Sequence, residues 1–166
     1  MRAVYDAALL VDAMAFADPE DFTAWPDIPP FTDQPARDCL AAVASAPAHG
    51  HDVELVLSRG VLEQVHRTLR EDLGLAQQDI DAYLLALMWL AAEAGTRPVA
   101  DPPAGDVHVP GHAGLLLRLA LGPYGDGLVV TASADVLALG PRWRGEVYIL
   151  PAVEFARRVD ASRRGR

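Results

Sequence analysis

Polar side chains follow several apolar runs of the chain, at the points where those runs end. Asp6 follows the first run, Ser58 follows a second, and the polar segment from Thr131 to Asp135 follows a third. In open parallel sheets, ligands bind in the crevice beyond the carboxyl ends of the strands. If the runs are parallel strands, these residues share one edge of the sheet and predict a ligand-binding crevice there.

A second group of candidate ligands lies in a loop rich in Pro, Gly and His. His108 and His112, with Asp106 nearby, offer the imidazole and carboxylate groups that suit Zn²⁺ or Mn²⁺. A spacing of four aligns both rings only on a helix, and Pro110 and Gly111 argue against a helix. A surface loop is therefore favoured over a metal site.

Other chemically versatile side chains have simpler interpretations. Cys39 is the only cysteine, so it forms no internal disulfide, and we expect it to pack as a small hydrophobe. Trp143 lies between Arg142 and Arg144 and is the best candidate for an RNA contact, with packing against the core as the alternative.

Four apolar, β-branched segments predict strands, and helical patterns separate them. Such crossovers imply a parallel sheet with helices on both faces. We therefore predict an α/β fold, a three-layer α/β/α sandwich with a mainly parallel central sheet. The predicted strands are Ala3–Tyr5, Val53–Leu57, Leu128–Thr131 and Val147–Leu150.

Helix signals complete this organisation. Pro35 opens one helix, Ser58 caps the next, and Leu115–Leu121 forms a short one. The segment 18–35 is acidic and too rich in Pro for a helix interior, so we predict an exposed loop. The chain suits one domain over residues 1–156, followed by a basic tail at 157–166.

Charge is distributed unevenly. The net charge is −9, but residues 1–140 carry seven Arg against twenty acids, whereas residues 141–166 carry seven Arg against three acids. The acidic total opposes non-specific binding to nucleic acid, although the basic end could supply it. The longest apolar stretch, Ala82–Ala92, is too short to span a bilayer, so we expect a cytoplasmic protein without a membrane partner.

Four local patterns, in order, make the chain resemble the PIN domains of bacterial toxin-type ribonucleases. Each consists of a strand end and the helix behind it, and the fourth closes with Pro151 and Glu154-Phe155. The resemblance covers nearly the whole chain apart from the acidic loop. The four patterns are Val4-Tyr5-Asp6, Val56-Leu57-Ser58 with Val61–Val65, Val129-Val130-Thr131 with Asp135–Leu139, and Val147–Leu150.

The resemblance implies a cluster of carboxylates that binds Mg²⁺ or Mn²⁺ and activates water. Asp6 stands at the first acidic position, and Asp135 remains in the last pattern. Catalysis would then rest on Asp6 and Asp135, with Glu63 as a third metal ligand.

Other expected acids are replaced. Gln64 occupies the second acidic position beside Glu63, the turn containing His112 has no carboxylate, and Ser133 stands where another Asp is expected. We expect these three residues to substitute for the missing acids or to support the remaining ones, in a metal site that has lost several of its carboxylates. Ala7 and Ala8 also remove the polar residues that usually follow the first acid.

Three functions follow from the resemblance. The first is a PIN-like protein with impaired or absent nuclease activity and without a bound metal, which acts by binding RNA or a partner protein. The second is an active Mg²⁺- or Mn²⁺-dependent endoribonuclease, the toxin of a toxin–antitoxin pair. The third is a structural subunit. Partners would be RNA, a cognate antitoxin or other small regulatory protein, or a second copy of the chain.

Overall fold

The computed structural model describes residues 1–15, 34–44, 53–103, 105, 107–143 and 145–164. Within these ranges, the four predicted strands are present: β1 (Arg2–Tyr5), β2 (Glu54–Val56), β3 (Leu128–Thr131) and β4 (Tyr148–Pro151). They form one sheet in the order β2-β1-β3-β4, and every pairing is parallel. The predicted parallel sheet is confirmed.

The two central strands are buried on both faces. Ala3, Val4 and Tyr5 of β1 are each 0% exposed, and all four residues of β3 are buried. Because successive side chains of a strand point to opposite faces, their common burial requires a covered surface on each side of the sheet. The chain is therefore a three-layer α/β/α sandwich, as the alternation of strands and helices predicts.

The first helices begin where the sequence places their start signals. Ser58 is the N-cap of the helix after β2, and its hydroxyl accepts a hydrogen bond from the Val61 amide at 3.3 Å. Pro35 opens the second helix, where its missing N–H leaves no hydrogen bond unmade. These helices are α1 (Ala7–Ala15), α2 (Pro35–Ala44), α3 (Arg59–Glu71) and α4 (Gln77–Glu93).

The fifth helix, α5 (Gly111–Leu121), begins four residues earlier than Leu115, where the sequence placed it. Pro110 is its N-cap, and Gly111 has a φ of 66°, in the left-handed region that glycine adopts readily. The Pro-Gly pair starts this helix instead of preventing it. The structure therefore places His112 in a first turn, not in a loop.

The last helices are α6 (Ala134–Leu137) and α7 (Ala152–Arg164). α7 runs without a break across residues 156 and 157, so residues 157–164, expected to form a basic tail, continue it. Phe155 is 2% exposed and contacts Tyr5 of β1 edge-on, with ring centroids 5.8 Å apart. The last helix is thus anchored on the first strand.

Several sequence predictions fall outside the described residues: most of the acidic loop at 18–35, Asp106 and Arg144. Among the helices that the structure does describe, none is both long enough and apolar enough to cross a membrane.

Candidate functional site

Parallel pairing brings Asp6 and Thr131 together at the carboxyl end of the sheet. Asp6 follows β1 and donates its amide to the Val130 carbonyl at 3.0 Å. Thr131 ends β3, and its hydroxyl donates a hydrogen bond to Asp6 Oδ2. Both residues are buried, with Asp6 only 1% exposed. The pair is therefore part of the core edge and not of the open surface.

Asp6 also begins α1. Its carbonyl accepts the Leu10 amide at 3.1 Å, and its Oδ1 accepts the Ala8 amide at 2.8 Å. A carboxylate in this position satisfies a free helix N–H and interacts favourably with the positive end of the helix dipole. Asp6 thus has a structural role that needs no metal ion.

His112 reaches the same carboxylate from α5. Its Nε2 lies 3.3 Å from Asp6 Oδ1 and 3.3 Å from the Ala7 amide nitrogen. A protonated Nε2 donates to Asp6, whereas an unprotonated Nε2 accepts the Ala7 N–H. In either state the ring joins α5 to the start of α1.

The pKa of Asp6 reports this environment. Burial acts to raise the pKa, but hydrogen bonds with His112 and Thr131 and from the Ala8 amide outweigh burial, so the pKa lies below its ordinary value. Asp6 is consequently a stably charged carboxylate that the protein's own donors stabilise.

Ser133 extends the network towards α6. Its amide donates to Thr131 Oγ1 at 2.9 Å, and its own hydroxyl accepts the Val136 amide at 3.5 Å, as the N-cap of α6. Asp135, in the first turn of that helix, is exposed. Ser133 therefore supports the Asp6 cluster, and Asp135 faces solvent.

The acidic candidate on α3 is engaged elsewhere. Glu63 is 55% exposed and its Oε1 lies 2.6 Å from Arg59 Nε. Gln64 donates to Thr68 Oγ1 within the same helix, at 3.5 Å. Neither side chain has a hydrogen bond to the Asp6 cluster among those the structure gives.

The side chains around Asp6 do not fit a Mg²⁺ or Mn²⁺ ion. Such ions prefer several oxygen ligands, but here one carboxylate, already hydrogen-bonded at both oxygens, faces a hydroxyl and an imidazole. Across the part of the chain that the structure describes, no three His, Cys, Asp or Glu side chains are grouped so as to hold a metal ion. The metal-ligand roles of Asp6, Glu63 and Asp135 remain predictions.

A crevice of about 490 Å³ does open at the carboxyl end of β3 and β4. Asp12 of α1 and Thr131 line it with Pro151 and Leu137, whereas Asp6 is not among its lining residues. Burial and then the charge of Asp6 raise the pKa of Asp12. The place of Asp12 at this crevice depends on how α1 packs beside β3, which no local sequence pattern signals.

Asp101 is a second carboxylate whose position the surrounding sequence does not predict. Its Oδ1 accepts the Gly60 amide at 3.0 Å, at the N-terminus of α3. A Cβ at position 60 would lie 2.7 Å from Asp101 Oδ2, so the glycine makes room for this carboxylate. The contact joins residues 41 positions apart, and no local spacing signals it.

The remaining candidates separate in the structure. Arg142 is exposed, whereas Trp143 is partly buried and packs against the core, as the alternative interpretation expected. Cys39 is fully buried, and burial followed by the nearby charge of Asp38 raises the pKa of its thiol. A thiol in that state is a poor nucleophile.

The chain is an α/β sandwich with a parallel sheet, and the carboxyl-terminal edge of that sheet carries the Asp6 cluster and a crevice lined mostly by apolar residues. Comparison of the chain with protein-family models, with curated proteins and with solved structures finds no match in any of the three. The resemblance to PIN domains therefore stays a prediction.

Proposed function

We propose that the chain is a PIN-like domain in which a hydrogen-bonded cluster replaces the metal site, and that it acts by binding a partner protein and not by hydrolysing RNA. The observation that carries the proposal is the state of Asp6. Its carboxylate is 1% exposed and accepts hydrogen bonds from Thr131 and the Ala8 amide. A metal ion would have to displace donors that already satisfy it.

An active metal-dependent endoribonuclease is the alternative. It would need Glu63 to leave its ion pair with Arg59 and Asp135 to turn from solvent towards Asp6. It would also have to draw RNA to a chain of net charge −9. Phosphate binding comes from cations, so this charge favours a protein partner over RNA.

Two measurements test the proposal together. In calorimetric titration of the protein with Mn²⁺, we expect no stoichiometric binding, and in a cleavage assay with single-stranded RNA and Mn²⁺ we expect no products. Asp6→Asn should leave both results unchanged. Stoichiometric Mn²⁺ binding accompanied by RNA cleavage that Asp6→Asn abolishes would overturn the proposal in favour of the nuclease.

A further inference from the structure

A cleft of about 700 Å³ lies along the outer side of α3, away from the Asp6 cluster. Leu62 of α3, Leu84 of α4 and Val99 line it, and each of these side chains is half-buried. We call it the α3 cleft. Its volume is in the range of clefts that bind ligands or anchoring side chains.

The segment 96–100, whose last three residues line the cleft, is held in place. The Val99 amide donates to the Leu57 carbonyl at 2.8 Å, and Thr96 Oγ1 donates to the Leu55 carbonyl at 2.7 Å. Both bonds attach this segment to the β2 side of the sheet. The cleft is therefore already formed before a partner binds, so less binding free energy is lost in ordering its wall.

Cations concentrate at the same place. Arg59, Arg67 and Arg70 line the cleft against two acids, Glu63 and Glu71, a net of +1 on a chain whose total is −9. Arg67 is exposed and makes no hydrogen bond or ion pair with the residues that the structure describes. Arg70 donates to the neutral Gln77 Oε1 at 2.5 Å. Two guanidinium groups of the cleft thus lack an acidic partner among the residues that the structure describes.

We infer that the α3 cleft binds an acidic amphipathic helix of a partner protein. Apolar side chains on one face of that helix would fill the cleft over Leu62, Leu84 and Val99, and its Asp or Glu residues would pair with Arg67 and Arg70. Arg59 to Arg70 spans about 16 Å along α3, which matches three turns of a docked helix. The inference rests on the proposed function, because it identifies the α3 cleft as the surface that binds the partner protein.

The lining favours a carboxylate-bearing helix over nucleic acid. No Phe, Tyr or Trp occurs among the described residues of the cleft, so bases would lack the aromatic platforms on which single strands usually stack. Glu63 and Glu71 would also repel a continuous phosphate backbone. An acidic helix can avoid these two residues because its charges are spaced.

Selection from a displayed library of random 16-residue peptides tests the inference without presuming a sequence. We expect selected peptides to carry net negative charge with apolar residues at helical spacing. In fluorescence anisotropy, Arg67→Glu should weaken the tightest peptide at least tenfold, whereas Arg157→Glu, at an exposed site on α7, should leave its affinity unchanged. Replacing one acid of the peptide by Lys should restore part of its affinity for the Arg67→Glu variant.

Selected peptides without an acidic bias, or an affinity that Arg67→Glu does not change, would overturn the inference. So would a single-stranded RNA 12-mer whose binding is stronger than that of any selected peptide and is lost in Arg67→Glu. Each of these results can occur while Mn²⁺ titration and RNA cleavage remain negative. Failure of the cleft is therefore distinguishable from failure of the proposal that the chain has lost the metal site and does not hydrolyse RNA.

Discussion

Asp6 carries a negative charge in a place that solvent hardly reaches. A buried charge is tolerated only where hydrogen bonds replace the water it has lost. Thr131 and the Ala8 amide supply them from β3 and α1, and His112 of α5 adds a third when its Nε2 carries a proton. One carboxylate therefore joins three elements, and we expect its main contribution to be to stability.

Asp6→Asn should lower the free energy of unfolding by about 1–3 kcal/mol. The NH₂ of Asn would replace one carboxylate oxygen, so a donor would stand opposite another hydrogen-bond donor. For a chain of this size, each 1 kcal/mol corresponds to about 2–4 °C in Tm. Thermal denaturation checks it. Asp12→Asn is the matched control and should leave stability equal or slightly higher, since a raised pKa means that the folded state disfavours the Asp12 charge. Equal Tm values for wild type and Asp6→Asn would contradict the stabilising role.

The effect of Asp6 should depend on pH. Its pKa is lower in the folded state, so its stabilisation is complete above the unfolded pKa, about 3.9, and is lost as the pH falls through the folded value. Urea unfolding at a series of pH values should show a constant difference in the free energy of unfolding between wild type and Asp6→Asn from about pH 7 to 5. This difference should become smaller below about pH 4. A difference in unfolding free energy that grows as the pH falls would contradict a lowered pKa for Asp6.

At the scale of elements, the start of α5 positions His112. Gly114 packs so closely on the preceding segment that an added Cβ would lie 1.8 Å from the Val109 carbonyl oxygen. The helix can reach the Asp6 cluster only because this residue has no side chain.

Gly114→Ala should therefore displace the N-terminus of α5 and destabilise the fold by about 1–3 kcal/mol, measured by urea unfolding. Gly140→Ala is the control, because the nearest atom to its added Cβ is 4.0 Å away. If both alanine variants have the same stability, the close approach at Gly114 is not a constraint.

Local patterns predicted the elements better than they predicted the contacts between them. β3 matches its predicted range, and Ser58 caps α3, because strand burial and capping are encoded within a few neighbouring residues. The start of α5 was missed because Pro-Gly signals a turn and a helix start alike. Parallel strands predicted that Asp6 and Thr131 lie at the same edge of the sheet, but no local pattern signals the hydrogen bond between their side chains, which joins residues 125 positions apart.

At the scale of the whole molecule, the two ends of the described chain meet in the core. Phe155 of α7 contacts Tyr5 of β1, and the Tyr5 hydroxyl donates to the Cys39 carbonyl at 2.8 Å. The first strand, the second helix and the last helix therefore stabilise one another.

Phe155→Ala should lower the free energy of unfolding by about 3–5 kcal/mol, the usual effect of removing a buried aromatic ring. Val153→Ala, at a position that is 39% exposed on the same helix, should change it by less than about 1 kcal/mol. Chemical denaturation of both variants provides the comparison. Similar losses in the two would show that α7 is not anchored through Phe155.

The central place of β1 in the sheet also bears on how the chain folds. β1 is made first, yet one of its two neighbours, β3, begins at residue 128. Closing so long a loop slows folding, and until β3 emerges from the ribosome, one edge of an apolar strand has no partner. We expect the nascent chain to need protection by a chaperone over that interval, because unpaired strand edges promote aggregation.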